Sequence, residues 1–340
     1  MYLMDKSRDE LAELLTAWGE PLFRAKQVYG WLLRGARPQA MTNLPKALRE
    51  KLDALPFGGV SVHSKFVSTR DGTVKYLFAL EDGNLVEGVL MRYRYGNTLC
   101  LSTQVGCKMG CVFCASTLDG CVRDLRHGEM LGFVAAVEAD EPAKAGERTV
   151  TNIVLMGSGE PLDNYDNVVR FLWRVTGDLG ISARNISLST CGIVPMMRRF
   201  ASEAPPVTLS VSLHAATDAQ RSKLMPINAA YPIREVVTAA HAYAEQTGRR
   251  VIFEYALIAG ENDSQADAKA LANLLAHTLC HVNLIPLNPV AERDLQGTTR
   301  AQAQRFAGWL ADYRVSATVR REMGTDIAGA CGQLRRKVLK

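Results

Sequence analysis

The sequence predicts an α/β fold, a partial (β/α)6 TIM-like barrel with a small N-terminal helical domain and a β-hairpin connector. Helical periodicity covers the first 55 residues or so, alternation of apolar and polar residues follows between Val60 and Met91, and short β-branched runs separated by helical stretches make up the rest. The chain has 340 residues, 47% hydrophobic and 22% charged. This composition is typical of a globular protein of about two domains and excludes a disordered or collagen-like chain.

The first predicted domain, residues 1–55, is helical. Its apolar residues recur at helical spacing in two groups, Leu11, Leu14, Leu15 and Trp18, and Val28, Trp31, Leu32 and Leu33. Asn43-Leu44-Pro45 then opens a third short helix that runs through Leu52. Of the nine basic residues here, seven favour a domain of the RNA-binding type: Arg24, Lys26, Arg34, Arg37, Lys46, Arg49 and Lys51.

Residues 56–97 form the predicted connector. Alternation in Lys75–Leu80, the turn Glu81-Asp82-Gly83-Asn84, and the run Leu85–Met91 together indicate a hairpin.

The third predicted domain, residues 98–340, contains the barrel. Six β-branched runs indicate its parallel strands, with a seventh at an edge: residues 99–103, 152–156, 185–190, 207–213, 251–257, 282–286 and 315–319. Right-handed crossovers bring the carboxyl ends of such strands to one face. We therefore expect the functional site at that face.

Charge and hydropathy indicate the cellular compartment of the protein and the kind of partner it binds. No run of about 18 apolar residues is present, and the first 20 residues mix acidic and basic residues with apolar ones, which predicts a cytoplasmic protein without a membrane segment. The formal net charge is +5, and residues 314–340 carry seven basic against two acidic residues. Such a tail can contact the phosphates of a polyanion, although a solvated terminus has the same composition.

Three of the eight cysteines are closely spaced. Cys107, Cys111 and Cys114 lie four and three residues apart, just after the first predicted barrel strand. Three such thiolates can ligate three irons of a [4Fe–4S] cluster and leave the fourth iron open. The alternatives are a zinc site, completed by Cys100, Cys121 or His127, and three unliganded core cysteines.

These features together resemble the radical S-adenosylmethionine (SAM) enzymes and, within them, the RlmN family of RNA adenine-C2 methyltransferases; the sister family Cfr methylates C8. The resemblance runs over nearly the whole chain, in the cysteine loop and in the segments 19–27, 157–162, 212–214, 283–289 and 330–334. It implies a radical SAM barrel, one [4Fe–4S] cluster per chain held by Cys107, Cys111 and Cys114, and two SAM molecules per turnover.

The resemblance also assigns SAM contacts to residues that follow successive barrel strands: Gly159, Glu160, Ser189, Ser212, Leu213, His214 and Asn288. Glycine allows the backbone to approach a ligand closely, and a glutamate can accept hydrogen bonds from a cationic amino group. Helix capping and turn formation are the commoner roles of serine and histidine at strand ends. Their shared position at one face favours the ligand role.

By the same resemblance, Cys331 in a glycine-rich C-terminal loop receives a methyl group from the first SAM. The second SAM is cleaved to a 5′-deoxyadenosyl radical, which takes a hydrogen atom from the S-methyl group, and the methylene radical adds to the adenine. Glu87 or a nearby base then removes the C2 proton, and Cys100 resolves the adduct through a transient Cys100–Cys331 disulfide. Position alone favours a buried core thiol for Cys100 and a solvent-facing strand carboxylate for Glu87.

The implied substrates are 23S rRNA, at the peptidyl transferase centre, and an adenosine next to the anticodon in tRNAs. An external one-electron reductant of the flavodoxin type is expected, and the protein is expected to be a monomer. Two other functions stay open from the sequence: Cfr-like methylation at C8, which would use the same residues, and a zinc-stabilised RNA-binding protein without catalysis. Cys121, Cys191 and Cys280 are interpreted as structural.

Overall fold

The structure, a computed structural model, describes residues 2–290 and 292–327. It begins with three helices, α1 (Arg8–Ala17), α2 (Phe23–Leu32) and α3 (Lys46–Asp53), packed around a small core of their own. A capping box starts α1: the hydroxyl of Ser7 accepts from the N–H of Glu10, and the Glu10 carboxylate accepts from the N–H of Ser7. The three helices lie where the periodicity predicted them.

Three antiparallel strands follow, β1 (Val60–Val67), β2 (Val74–Leu80) and β3 (Leu85–Tyr93). The predicted hairpin is therefore confirmed as β2–β3. Alternation decides which way the side chains of β2 face. Tyr76 and Phe78 belong to the main core, where the Phe78 ring lies 4.7 Å from that of Phe133. Lys75 and Leu77 lie on the opposite face of the strand.

Nine further strands follow in chain order: β4 (Gly96–Leu101), β5 (Gln104–Gly106), β6 (Cys121–Asp124), β7 (Asn152–Leu155), β8 (Ile186–Thr190), β9 (Thr208–Ser212), β10 (Val251–Leu257), β11 (Cys280–Pro286) and β12 (Ala317–Val319). β5 and β6 pair with each other. The others extend one sheet in the order β1-β2-β3-β4-β7-β8-β9-β10-β11-β12, parallel from β4 onward. The six predicted barrel strands and the edge strand are confirmed.

Helices connect the parallel strands and cover the outer face of the sheet: α4 (His127–Asp140), α5 (Tyr165–Gly177), α6 (Val194–Glu203), α7 (Asp218–Leu224), α8 (Ile233–Thr247), α9 (Gln265–Leu274) and α10 (Arg300–Asp312). Their apolar faces and the outward side chains of the strands form the main core, which includes Phe133, Phe171, Phe200 and Phe306. Across the described part of the chain, no helix is both long and apolar enough to cross a membrane.

The connector strands continue the barrel sheet directly. β3 pairs antiparallel with β4, with Val89 opposite Cys100 and Leu90 opposite Leu99. Residues 56–97 are thus hydrogen-bonded to the barrel along a full strand, a continuity that the sequence pattern did not reveal.

Residues 320–327, here called the C-terminal strap, run from β12 to the turn between β1 and β2. The Arg320 N–H donates to the carbonyl of Leu284, and the Gly324 N–H donates to Asp71, 2.9 Å away. Asp326 accepts from the hydroxyl of Ser68 at 2.7 Å and from the N–H of Thr69 at 3.0 Å. The strap therefore links one end of the sheet to the other.

Asp326→Asn is expected to loosen the strap, because it removes the negative charge that strengthens both hydrogen bonds to the β1–β2 turn. Limited trypsin digestion should then cut several-fold faster after the exposed Arg320 and Arg321. Asp312→Asn, at the exposed end of α10, is the matched control. Equal cleavage rates in the two variants would show that Asp326 does not anchor the strap.

Candidate active site

The cysteine loop lies between β5 and β6. Backbone bonds fix it at both ends: the Cys107 N–H donates to the carbonyl of Gly120 at 2.9 Å, and the Val112 N–H donates to that of Leu224 at 3.0 Å. Thr117 closes the turn, because its hydroxyl donates to the carbonyls of Cys111 (3.0 Å) and Cys114 (2.9 Å). These hydrogen bonds within the protein therefore define the conformation of the loop.

The three thiols sit in apolar surroundings and close enough to influence one another. Cys107 and Cys111 are buried and Cys114 is half-buried. Burial raises the pKa of Cys107 to about 12, and the neighbouring Cys114 adds to the rise. Burial likewise raises the pKa of Cys111, with contributions from both other cysteines. Free thiolates are disfavoured here, so iron, which binds the deprotonated form, would supply the missing positive charge. This donor set fits a [4Fe–4S] cluster.

The described side chains fit a zinc ion less well than a [4Fe–4S] cluster. Within residues 2–290 and 292–327, no three His, Cys, Asp or Glu side chains gather closely enough to hold one metal ion. The candidate fourth ligand His127 binds the carbonyl of Asp5 through Nε2 at 2.8 Å, and Cys100 packs with Met91 and Met323. A cubane cluster imposes no such closeness, because each cysteine binds a different iron.

Ser189 and Ser212 meet at the carboxyl ends of β8 and β9, where the resemblance puts SAM contacts. Their hydroxyl oxygens are 3.3 Å apart, and both lie near Oε2 of Glu254, at 2.6 Å and 3.3 Å respectively. Glu254 lies on β10 and is buried. Sequence reasoning missed this residue, although a lone acid within an apolar strand is a signal for it.

The Gly159-Glu160 segment follows β7. Gly159 has φ +109°, and a Cβ there would lie 2.7 Å from the backbone nitrogen of Gln104, so only glycine fits. The Glu160 carboxylate is buried and accepts from Thr190, Leu162 and the N–H of Cys191. In the structure this carboxylate accepts hydrogen bonds from protein donors, whereas the sequence suggested that it accepts them from the amino group of a ligand.

His214 follows β9 with φ +56°. Its Nδ1 accepts from the N–H of Ala256 at 2.9 Å, and its ring meets Phe113 of the cysteine loop edge-on, 4.7 Å between centroids. Burial lowers the pKa of His214 to about 3, and Arg221 lowers it further. The ring is therefore neutral at physiological pH and carries its proton on Nε2, as a hydrogen-bond donor.

Leu213 and Asn288 differ from the other assigned residues. The side chain of Leu213 is buried in the main core, and its N–H donates to the carbonyl of Glu254. Asn288 lies two residues beyond β11 and is exposed. Cys331 lies outside the described residues, four positions after Ile327.

Arg221 is a second residue that sequence reasoning missed. It lies on α7, is fully buried, and donates to Oδ1 of Asn228 at 3.0 Å and to the carbonyls of Cys191 and Ser212. It therefore ties the carboxyl ends of β8 and β9 together, directly beneath the serine pair. A single arginine on an amphipathic helix gives no sequence signal for such a role.

Glu87 and Cys100 face the inside of the barrel on neighbouring strands. The β3–β4 register puts Val89 opposite Cys100, so Glu87 lies two residues further along the same face of β3. Glu87 is 7% exposed and pairs with the fully buried Lys75, Nζ to Oε2 3.1 Å. It is not the solvent-facing carboxylate that its position in the hairpin suggested. A pocket beside it reaches Gly106, next to Cys107.

We expect His214 to make stability depend on pH. Its pKa is lowered in the folded protein, so as the pH falls below about 6.5 the unfolded chain takes up a proton that the folded one refuses. Stability is then lost progressively toward pH 3, by at most about 1.4 kcal/mol per pH unit. Asn tolerates positive φ and can still accept from Ala256. Anaerobic urea unfolding at pH 5.5 and 7.5 should show a smaller difference for His214→Asn than for the parent protein. An equal difference in both proteins would contradict a neutral, buried His214.

Comparison with known proteins covers both halves of the chain. Residues 1–56 match the family described as "Ribosomal RNA large subunit methyltransferase N-terminal domain", and residues 101–272 match the "Radical SAM superfamily".

Individual relatives match over almost the full length. A "probable dual-specificity RNA methyltransferase RlmN" of Clostridium perfringens strain 13 is 49% identical, with 99% of this chain and 97% of the relative covered. One of the same name from Lachnoclostridium phytofermentans is 50% identical, covering 96% and 92%. The crystal structure of a radical SAM methyltransferase from Sphaerobacter thermophilus superposes with a TM-score of 0.91 at 45% identity, covering 98% of each chain. With this identity and coverage, the chain belongs to the RlmN family of radical SAM RNA methyltransferases.

Proposed function

We propose that this enzyme methylates C2 of a specific adenosine in 23S rRNA, in the peptidyl transferase centre, and of an adenosine next to the anticodon in tRNAs. The observation that carries the proposal is the placement of a buried carboxylate, Glu87, and a buried thiol, Cys100, on one inner face of the barrel beside the cysteine loop. The "dual-specificity" name of the relatives supports the two RNA substrates.

The chemistry calls for a radical, because C2 of adenine is not nucleophilic and cannot attack a methyl sulfonium directly. One [4Fe–4S] cluster, held by Cys107, Cys111 and Cys114 and fed by a flavodoxin-type reductant, would supply the electron that cleaves SAM into a 5′-deoxyadenosyl radical. Ser189, Ser212, Leu213, His214, Asn288 and the Gly159-Glu160 backbone would hold SAM at the strand ends. Two SAM molecules are consumed per turnover, one as methyl donor and one as radical source.

The remaining steps belong to side chains of this chain. Cys331 accepts the methyl group on sulfur and carries the carbon to C2 of the adenine. Addition of the methylene radical leaves an unpaired electron on the adenine ring. Glu87 takes the C2 proton from this adduct, and the unpaired electron would pass back to the oxidised cluster. Cys100 then attacks the sulfur of Cys331, which forms the disulfide, breaks the sulfur–carbon bond and leaves the methyl group on the base after protonation. Burial of Cys100 under Met91 and Met323 keeps this thiol from other oxidants before the adduct forms.

The parts outside the barrel have supporting roles in the proposal. The N-terminal helical domain and the basic C-terminal residues bind RNA phosphates. The enzyme acts as a cytoplasmic monomer. The strap brings the chain from β12 to the buried cluster of Val89, Met91 and Cys100, since Met323 packs against that cluster.

Product analysis tests the proposed reaction. The cluster-reconstituted protein, incubated anaerobically with SAM, a reductant and unmodified 23S rRNA or tRNA, should yield 2-methyladenosine in nucleoside mass spectrometry. Finding 8-methyladenosine instead would assign the Cfr-like reaction. Zinc without sulfide in the purified protein, and neither product, would favour an RNA-binding protein without catalysis.

The two reactive cysteines should fail at different stages. Cys331→Ala is expected to stop methylation before any adduct forms, whereas Cys100→Ala should trap RNA covalently on Cys331, visible as a shifted band with labelled RNA on a denaturing gel. Cys280→Ala, which removes a half-buried thiol on β11, is the control and should turn over normally. Free RNA in the Cys100→Ala lane would contradict the role of that thiol.

A further inference from the structure

Lys75 is the most deeply buried charged partner near the reacting groups. Its side chain is 0% exposed, and its Nζ lies 3.1 Å from Oε2 of Glu87, which is 7% exposed. The two residues lie on adjacent strands, β2 and β3, on the inner face of the sheet. Neither residue belongs to a surface ion pair, so solvent screening does not weaken their interaction.

Packing alone does not call for a lysine at this position. The neighbours of Lys75 on its face of β2 are apolar, Leu77 and Ala79, which pack with Leu85. Burying an ammonium group costs several kcal/mol before pairing, and a buried ion pair is often no more stabilising than an apolar pair of the same size. The lysine is therefore better explained by what it does to Glu87 than by its contribution to folding.

The pair also borders the space in which an adenine would react. Glu87 lines the pocket between the start of β3 and the cysteine loop, together with Gly106, Ser116 and Ser158. Lys75 is not among the pocket-lining residues, so it lies behind Glu87. An ammonium group 3.1 Å from Oε2 can fix the orientation of the Glu87 carboxylate.

We propose that Lys75 is a positioning residue for the proton-transfer step: its ion pair holds the Glu87 carboxylate in place beside the pocket at the cysteine loop. In this step the C2–H bond of the adduct breaks, the proton goes to a carboxylate oxygen of Glu87, and the electron pair stays in the adenine ring, which gives up the unpaired electron of the adduct as described above. Lys75 keeps its proton throughout. The inference rests on the proposed function, because it assumes that Glu87 accepts the C2 proton.

The test uses Lys75→Met and Lys75→Arg in the reconstituted holoenzyme. Methylation of Cys331, read by mass spectrometry of its peptide, should be unchanged in Lys75→Met. Release of methylated RNA should fall about 10- to 100-fold, as expected when general-base catalysis is impaired, and the covalent RNA adduct should accumulate. Lys75→Arg keeps the charge and should restore part of the rate.

Two comparisons separate positioning from a merely structural role. Adding Lys75→Met to Glu87→Gln should cause no further loss, because both changes act on the same proton transfer. Lys65→Met removes a lysine on β1 that pairs with Asp140, the last residue of α4, and should leave the rate unchanged. If Lys75→Met does not fold, Lys75→Gln is measured instead, since an amide of similar length can still bind Glu87 without a charge.

A normal release rate in Lys75→Met, or a lowered rate with no adduct and no recovery in Lys75→Arg, would overturn the inference. Failure of the proposed function looks different, because Cys100→Ala would then trap no RNA. A trapped adduct in Cys100→Ala with none in Lys75→Met therefore counts against Lys75 alone.

Discussion

The antiparallel pairing of β3 with β4 determines which side chains face the inside of the barrel. β4 is the first parallel strand, so its orientation is set by β7 on one side and β3 on the other. A slip of one residue in the β3–β4 register would turn Glu87 and Cys100 to opposite faces. The buried faces on both sides prevent such a slip, because it would also move one of the two residues Leu90 and Leu99 out of the main core. The placement of Glu87 and Cys100 on one face thus depends on a strand register that buried apolar side chains fix.

Buried charges shape the opposite wall of the site. Glu254, Glu160 and Arg221 are each nearly or fully buried, and each is bound by several protein donors or acceptors. Isolated buried charges would be very costly, but hydrogen-bonded networks hold their members in fixed positions. Here the networks join β8, β9 and β10 at their carboxyl ends. A cofactor bound there would meet polar groups that need little reorganisation on binding.

The fold was largely predictable because hydrophobic periodicity is a local signal. Every barrel strand follows from its β-branched run, and the hairpin follows from alternation around one turn. The continuity of connector and barrel was not predictable, since β3 and β4 share no pattern that marks them as partners. Contacts between distant residues, such as Asp326 with Ser68, are likewise set by tertiary packing.

The candidate site was also predictable only in its local features. The cysteine loop was recognisable from spacing alone, because its three cysteines lie within eight residues of chain. Glu254 and Arg221 were missed, because their roles arise only where three strands end together. Glu160 shows the opposite case: its motif was recognised, but its carboxylate accepts hydrogen bonds from Thr190 and Cys191. Motifs identify which segments meet at the site, whereas the structure decides whether a segment meets a ligand through its side chain or its backbone.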